Sequence, residues 1–443
     1  MASDDAVLTR EAIGCWHRAL RALDPDDPGL RALRQLHFHD RRAITVARPA
    51  LITRPRLEAE RLAVGLIGSA LGKVLARVHA EPALLERLGL TTAARDLVSI
   101  DPGFTTVDVN DRFDAFLSKR LGFVEVNGAS PGGMGLVDAA ARAFMQTAAF
   151  DQLAADYTLE PIFALPRLRE AMLATWRDWG GTGDPVIGIV DWSDGPLVSE
   201  FELIRDDLIA HGLQALIADP RDLRFEGGRL RHRDGDIDMV YRRVLSQDCL
   251  ARPDEVRPLV DAARAGAVCL VNPFASDVLS HKRIFGLMTD PAVDLGLSAA
   301  ERAAVVNHVP WTRRLVSDDA GSGPDTIARQ WVIAHRERLV LKPANDYGGH
   351  GVHLGWECDD AEWSAVVDEA IGDDTLVQRR VVDHVERFPA DEPGFPLRTF
   401  HVDTDPYVFR GHMGGVLVRL SVDGVTNVTA GGSLAPAIVI GPA

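Results

Sequence analysis

Apolar and polar positions change rhythm several times along this chain, and each change predicts a change of element. Residues 6–95 carry apolar positions mostly at helical spacing, most clearly from Leu62 to Val78. Two short apolar runs, Ala43–Ala47 and Ala50–Thr53, read as strands between those helices. From Leu97 the period shortens. Thr105–Val109 alternates, Asp111–Asp114 leads into a predicted short helix, and Gly122-Phe-Val-Glu125-Val-Asn127 has the period of a strand. Leu136–Ala154 and Leu165–Trp179 return to helical spacing, and Gly180-Gly-Thr-Gly183 then reads as a linker.

Strand and helix signals next alternate. Pro185–Val190 is an apolar run, Glu200–His211 a helix stopped by Gly212, and Leu213–Ala218 a second strand. A hairpin over Leu223–Leu230 and a strand at Ile237–Tyr241, ending in Arg242 and Arg243, complete a small open sheet. Ligands of such sheets sit at the carboxyl ends of the strands. A helix at 254–267, the run Val268–Phe274 and a helix from Ser276 to Met288 carrying Lys282 follow. The last third reads as mainly antiparallel, with strands at Leu339–Lys342, Thr375–Val382, Arg398–Asp403, Pro406–Phe409 and Gly415–Ser421, and a glycine-rich loop at Ala430–Pro436.

With 443 residues there is length for two or three domains and a sizeable core. A net charge of −16 argues against nucleic-acid and anionic-membrane partners. No window reaches about 18 uncharged apolar residues, so no membrane-spanning helix is expected. The acidic start Met1-Ala-Ser-Asp-Asp does not resemble a signal peptide. Cys15, Cys249, Cys269 and Cys358 have neither metal-site nor disulfide spacing, which fits a reducing, cytoplasmic location. His37 and His39 have no partner cluster and read as structural or surface residues.

Two segments carry candidate chemistry. In Leu339-Val-Leu-Lys342-Pro343-Ala-Asn-Asp346-Tyr-Gly348-Gly349-His-Gly351 a strand delivers a lysine into a glycine-rich turn. The lysine supplies charge for a triphosphate, the glycines let backbone N–H groups approach it, and Asp346 is a carboxylate for Mg2+. The plainer alternative is a hairpin whose glycines serve only the turn. Glu125 and Asn127, two apart on a strand, share a face and form an oxygen half-site for Mg2+; the alternative is the polar face of an edge strand. The small-residue loop Gly128-Ala-Ser130-Pro-Gly-Gly-Met-Gly135 suits close ligand approach.

Together these residues resemble the ATP-grasp superfamily, in the circularly permuted branch of eukaryotic-type glutathione synthetase and glutathionylspermidine synthetase. The order points there, because Glu125-Val-Asn127 comes long before Lys342-Pro343. The motifs lie between residues 111 and 436; the first hundred residues match no known pattern. The resemblance implies an α/β (α+β), circularly permuted ATP-grasp fold. Its parts would be a mostly helical region at 1–110, a metal and substrate segment at 111–180, an inserted open-sheet α/β substrate domain at 181–270, and a nucleotide-binding domain at 271–443. It also implies roles. Glu125, Asn127 and Asp346 would hold Mg2+, although the family usually has glutamate at the last position. Lys282, Lys342, Gly348, Gly349 and Gln378 would contact ATP. Arg112, Ser130, Arg243 and Arg419 would bind substrates, with Arg112, Lys342 and Arg419 catalytic.

The activity so implied is an ATP-dependent carboxylate–amine ligase forming an amide or peptide bond through an acyl phosphate. Its expected partners are a small carboxylate donor, an amine acceptor and a second copy of the chain in a homodimer. The arginines also have a structural alternative, since Arg112 and Arg243 can pair with Asp114 and Asp248. Competing activities are a kinase that stops at phosphate transfer and a nucleotide-binding protein without catalysis. Gly349-His-Gly351-Val-His-Leu-Gly355 lacks the spacing of a dinucleotide-binding loop.

Overall fold

A computed structural model describes residues 2–118, 120–129, 131–195, 198–345, 349–424, 426 and 431–443, with side chains from residue 5 onward. Its largest sheet has eight strands. Ala50–Thr53, Ser433–Pro442, His412–Ser421, Leu397–Phe409, Asn110–Leu117 and Leu121–Asn127 lie side by side in that order. His384–Pro389 adds to Leu397–Phe409, and Tyr157–Pro161 to Ser433–Pro442. Segments distant in sequence thus form one central sheet.

Several expectations shift within it. Where a short helix was predicted after Asp114, the chain instead continues the strand Asn110–Leu117, hairpin-paired with Leu121–Asn127. Phe113, Ala115 and Leu117 are buried on one face, while Arg112, Asp114 and Phe116 line a cleft on the other. The chain from Ser433, expected as a loop, is a long buried strand, because Leu434-Ala-Pro-Ala-Ile-Val-Ile440 is apolar on both faces. Ala43–Ala47 forms no strand; only Val46 makes an isolated bridge, to Ala390. The single helix expected over Leu136–Ala154 is two, Met134–Phe144 and Ala148–Ala154, because Thr147 caps the second through the N–H of Phe150.

The open sheet is parallel throughout, in the order Cys269–Val271, Met239–Arg242, Val186–Val190, Gln214–Ala218. A third, five-stranded sheet runs Thr326–Ala328, Thr312–Val316, Thr375–Arg379, Leu339–Pro343, His353–Leu354. It is the clamp sheet below.

The helix Arg54–Ala80 is, by length and composition, apolar enough to cross a membrane, although its apolar stretch carries Lys73 and Arg77. Half of its most apolar window is buried inside the fold. Val64, Ile67, Leu71, Val74 and Val78 repeat at helical spacing and pack into a core shared with Phe113 and Phe123 of the hairpin. Its polar side reaches the helix Ala299–His308, where Glu301 accepts from Ser69 at 2.6 Å and Lys73 at 2.7 Å.

Candidate active site

The hairpin's register sets the centre of the cleft. Arg112 lies opposite Asn127, and Asp114 opposite Glu125. Asp114 accepts from Arg112 Nε at 2.8 Å and Nη2 at 3.1 Å, from Asn127 Nδ2 at 2.9 Å and from Arg419 Nη2 at 2.7 Å. Arg419 also meets Asp403 at 2.7 Å and Asp405 at 2.8 Å. Burial disfavours the charge on Asp114, but Arg112 and Arg419 outweigh it and hold the carboxyl well below its ordinary range. For Asp403 and Asp405 burial prevails over Arg419, and both are pushed up. Arg112 and Arg419 therefore already have carboxylate partners.

The lysines arrive from two other elements. Lys342 ends the strand Leu339–Pro343 and is 4% exposed. Its Nζ donates to the Val124 carbonyl at 2.6 Å and to Gln378 Oε1 at 2.9 Å. Burial pushes its pKa down to about 7, with repulsion from Lys282 adding and attraction to Glu125 opposing. Lys282 Nζ lies 3.2 Å from Glu125 Oε2. The helix expected over Ser276–Met288 is broken beside it, because the Lys282 N–H bonds the Ala344 carbonyl at 3.0 Å instead of continuing the helical ladder. That bond sets Lys282 beside the end of the Lys342 strand. Gln378 is buried, its amide donating to Thr312 Oγ1 at 3.1 Å and the Val124 carbonyl at 3.3 Å. It holds Lys342.

The open sheet contributes Arg243 and Asp191 at the carboxyl ends of its strands. Arg243 Nη1 donates to the Pro131 carbonyl at 2.7 Å and the Tyr241 hydroxyl at 3.3 Å, and its guanidinium lies over the Phe201 and Tyr241 rings. It makes no carboxylate pair among the described residues; the alternative pairing with Asp248 is not formed. Burial pushes Asp191 up to about 6 against the attraction of Arg243. Glu200, which sequence reasoning missed, accepts from the Gly133 N–H at 2.7 Å. Gly133 has φ 98°, a conformation natural to glycine, and begins the helix Met134–Phe144. A carboxylate thus already occupies that helix start.

These groups line one cleft of about 520 Å3 between the three sheets. Arg112, Glu125, Asn127, Arg243, Lys282, Lys342, Gly349, Gln378 and Arg419 all border it. Ser130, Asp346 and Gly348 lie outside the described residues. A second cleft of about 590 Å3 behind the hairpin, bordered by Leu121, Met288 and Trp311, contains none of these candidates. Volume does not decide between the clefts; the assembled charges do.

Residues 120–421 match a family model described as circularly permuted ATP-grasp type 2. The chain belongs to that family. Membership supports an ATP-dependent ligase in general terms. A search of curated proteins finds no match. Among solved structures, the apo form of a glutathione synthetase-like effector from Globodera pallida is similar over 98% of this chain and 97% of its own. Identity is 12% and the TM-score 0.57, a likeness of fold that takes in the region before residue 111. A Methylobacillus flagellatus protein provisionally assigned as a gamma-glutamylcysteine synthetase covers 85% of this chain and 85% of its own, at 12% identity and a TM-score of 0.44, too low to build on.

ATP-grasp enzymes typically use Mg2+. No cluster of three His, Cys, Asp or Glu ligands occurs among the described residues. Glu125 and Asn127 still fit half of a magnesium shell. Both border the cleft, and the Asn127 amide nitrogen is spent on Asp114, which leaves its oxygen as the acceptor. One or two protein oxygens, with phosphates and water, suit Mg2+.

Proposed function

We propose that this protein joins a carboxylate to an amine at the expense of ATP, releasing ADP and phosphate through an acyl phosphate. The observation that carries this reading is the convergence of Lys342, Lys282 and the Glu125/Asn127 face on one cleft. Two anions, a carboxylate and a γ-phosphate, must be held in contact, and clustered cations reduce their repulsion. Lys342 and Lys282 face the triphosphate, and Glu125 with Asn127 would hold Mg2+. The metal, when bound, would shield the phosphate charge.

Arg243 is the best-placed anchor for the donor, since Arg112 and Arg419 are engaged with Asp114. One donor carboxylate pairs with Arg243, and a second carboxylate oxygen attacks the γ-phosphorus as ADP leaves. The amine nitrogen then bonds the acyl carbon and phosphate departs. This chemistry favours a donor with more than one carboxylate, such as an acidic amino acid or a short peptide that contains one. The acyl phosphate must be kept from water, and the walls of the cleft supplied by the clamp sheet serve that end.

The test is an ADP-release screen across paired amino acids, short peptides and polyamines, with mass spectrometry of products. Amine-dependent ADP release with an amide product is expected. ADP release with a phosphorylated product and no amine dependence would mark a kinase. Binding of ATP without ADP release for any pair would mark a non-catalytic nucleotide binder.

A further inference from the structure

His401 and Asp383 form a second polar pair in this cleft that the roles above do not use. His401 lies on the strand Leu397–Phe409, two residues before Asp403, so both side chains share the cleft face. Asp403 lies opposite Arg419, and His401 opposite Ser421, one step further along the same pair of strands. His401 Nδ1 pairs with Asp383 Oδ2. Asp383 precedes the strand His384–Pro389, which pairs with the His401 strand. Both residues border the cleft, with His401 31% and Asp383 21% exposed. Neither residue has another ion-pair partner among the described residues, and His401 Nε2 makes no hydrogen bond there.

We propose that the His401–Asp383 dyad accepts the proton of the incoming amine. This rests on the ligase reading. An amine acceptor enters as an ammonium at neutral pH and has no lone pair until it loses a proton. Other carboxylates around this part of the cleft are committed: Asp114 and Asp403 to Arg419, and Glu125 to Lys282. Glu357 and Arg380 face the same space from the clamp side. The Asp383 carboxylate accepts a hydrogen bond from Nδ1–H, which fixes the tautomer whose lone pair is on Nε2. In the step, the ammonium proton passes to Nε2 and the nitrogen bonds the acyl carbon. The carbon–oxygen bond to phosphate breaks, and phosphate leaves with that electron pair and takes up the second proton that the nitrogen sheds as the amide forms. Asp383 stabilises the imidazolium until it returns its proton to water.

Hydroxylamine separates this step from activation, because it is largely neutral at pH 7 and needs no base to expose its lone pair. Wild type, His401→Gln and Asp383→Asn are compared with ATP, Mg2+ and a mixture of amino acids as donors. Hydroxylamine, glycine and spermidine serve in turn as the nucleophile. For His401→Gln, transfer to glycine or spermidine falls by about 10²–10⁴-fold, while hydroxamate formation falls far less. The deficit shrinks as pH rises toward the amine's own pKa. Asp383→Asn shows the same pattern more weakly, and an ATP-induced thermal shift like that of wild type confirms that both variants fold. Equal losses with all nucleophiles, or unchanged amine transfer, would overturn the dyad assignment alone. A wild type that forms neither hydroxamate nor amide would overturn the ligase reading and this inference with it.

Discussion

Lys342 Nζ donates to the Val124 carbonyl across 2.6 Å, tying the clamp sheet to the central hairpin. Its other acceptor, Gln378, is also neutral. The lysine is therefore buried without a direct counter-charge, and burial is the main reason its pKa falls to about 7 from 10.5. Between these two values the unfolded chain holds a proton that the folded one has released, so stability rises with pH across that window. A bound triphosphate restores the charge. ATP binding at pH 8 should take up close to one proton, read as buffer-dependent binding heat in buffers of different ionisation enthalpy. Lys342→Met should remove that dependence. Buffer-independent heat in the wild type would mean that the lysine is already charged.

Gln378 tests the same arrangement from its other side. Gln378→Glu places a carboxylate where Lys342 now meets a neutral oxygen. The lysine should regain its charge without ATP, so proton uptake disappears. The new carboxylate also competes with phosphate, and ATP affinity should fall by roughly 10- to 100-fold, about 1.4–2.7 kcal/mol. An unchanged affinity would show that Lys342 does not touch the nucleotide.

Glu125 neutralises Lys282 at 3.2 Å and, with Asn127, is proposed above to hold Mg2+. ATP with Mg2+ at about 100 times its dissociation constant should stabilise the fold by about 2.7 kcal/mol, and EDTA should remove most of that. Glu125→Gln should make the ATP-induced thermal shift nearly the same with and without Mg2+. A full Mg2+-dependent shift in this variant would place the metal elsewhere.

The lysine strand, the Glu125–Asn127 strand and the open sheet were legible because each is a local pattern: an apolar run, an alternation, a glycine turn. The hairpin's first strand was not. Its outward residues Arg112 and Asp114 make sense only beside Arg419, which lies far along the chain. Ser433–Pro442 failed for a similar reason. Pro436 and the preceding glycines suggest a loop, but its neighbours Ala50–Thr53 and His412–Ser421 come from distant parts of the sequence. The site residues that were missed were partly visible. His401, Asp403 and Asp405 alternate on one strand, a polar stripe of one period. Glu200 gave no such signal, since its partner is the backbone of a distant glycine loop. Gln378 was foreseen at the cleft, but its grip on Lys342 depends on the pairing of two strands.

The arginines give the sharpest separation. Arg112 and Arg243 were expected to share the donor, but their surroundings differ. Arg112 is 12% exposed and bonded twice to Asp114, whereas among the described residues Arg243 has only a carbonyl, a hydroxyl and two rings. Removing one partner of a buried ion pair costs roughly 3–5 kcal/mol. Arg419 and Asn127 still bond Asp114 in Arg112→Ala, so its cost should fall near the low end, about 3 kcal/mol, read by denaturant unfolding. Arg243→Ala should leave ATP affinity nearly intact and raise the donor requirement, since a lost charge-assisted contact costs about 1.5–3 kcal/mol, roughly 10- to 150-fold. The measurement is ADP release against donor concentration for both variants, with unfolding and ATP affinity measured separately. If Arg112→Ala proves stable and shifts only the donor requirement, Asp114 is its partner merely until substrate arrives. The donor carboxylate would then sit over the hairpin and not at the open sheet.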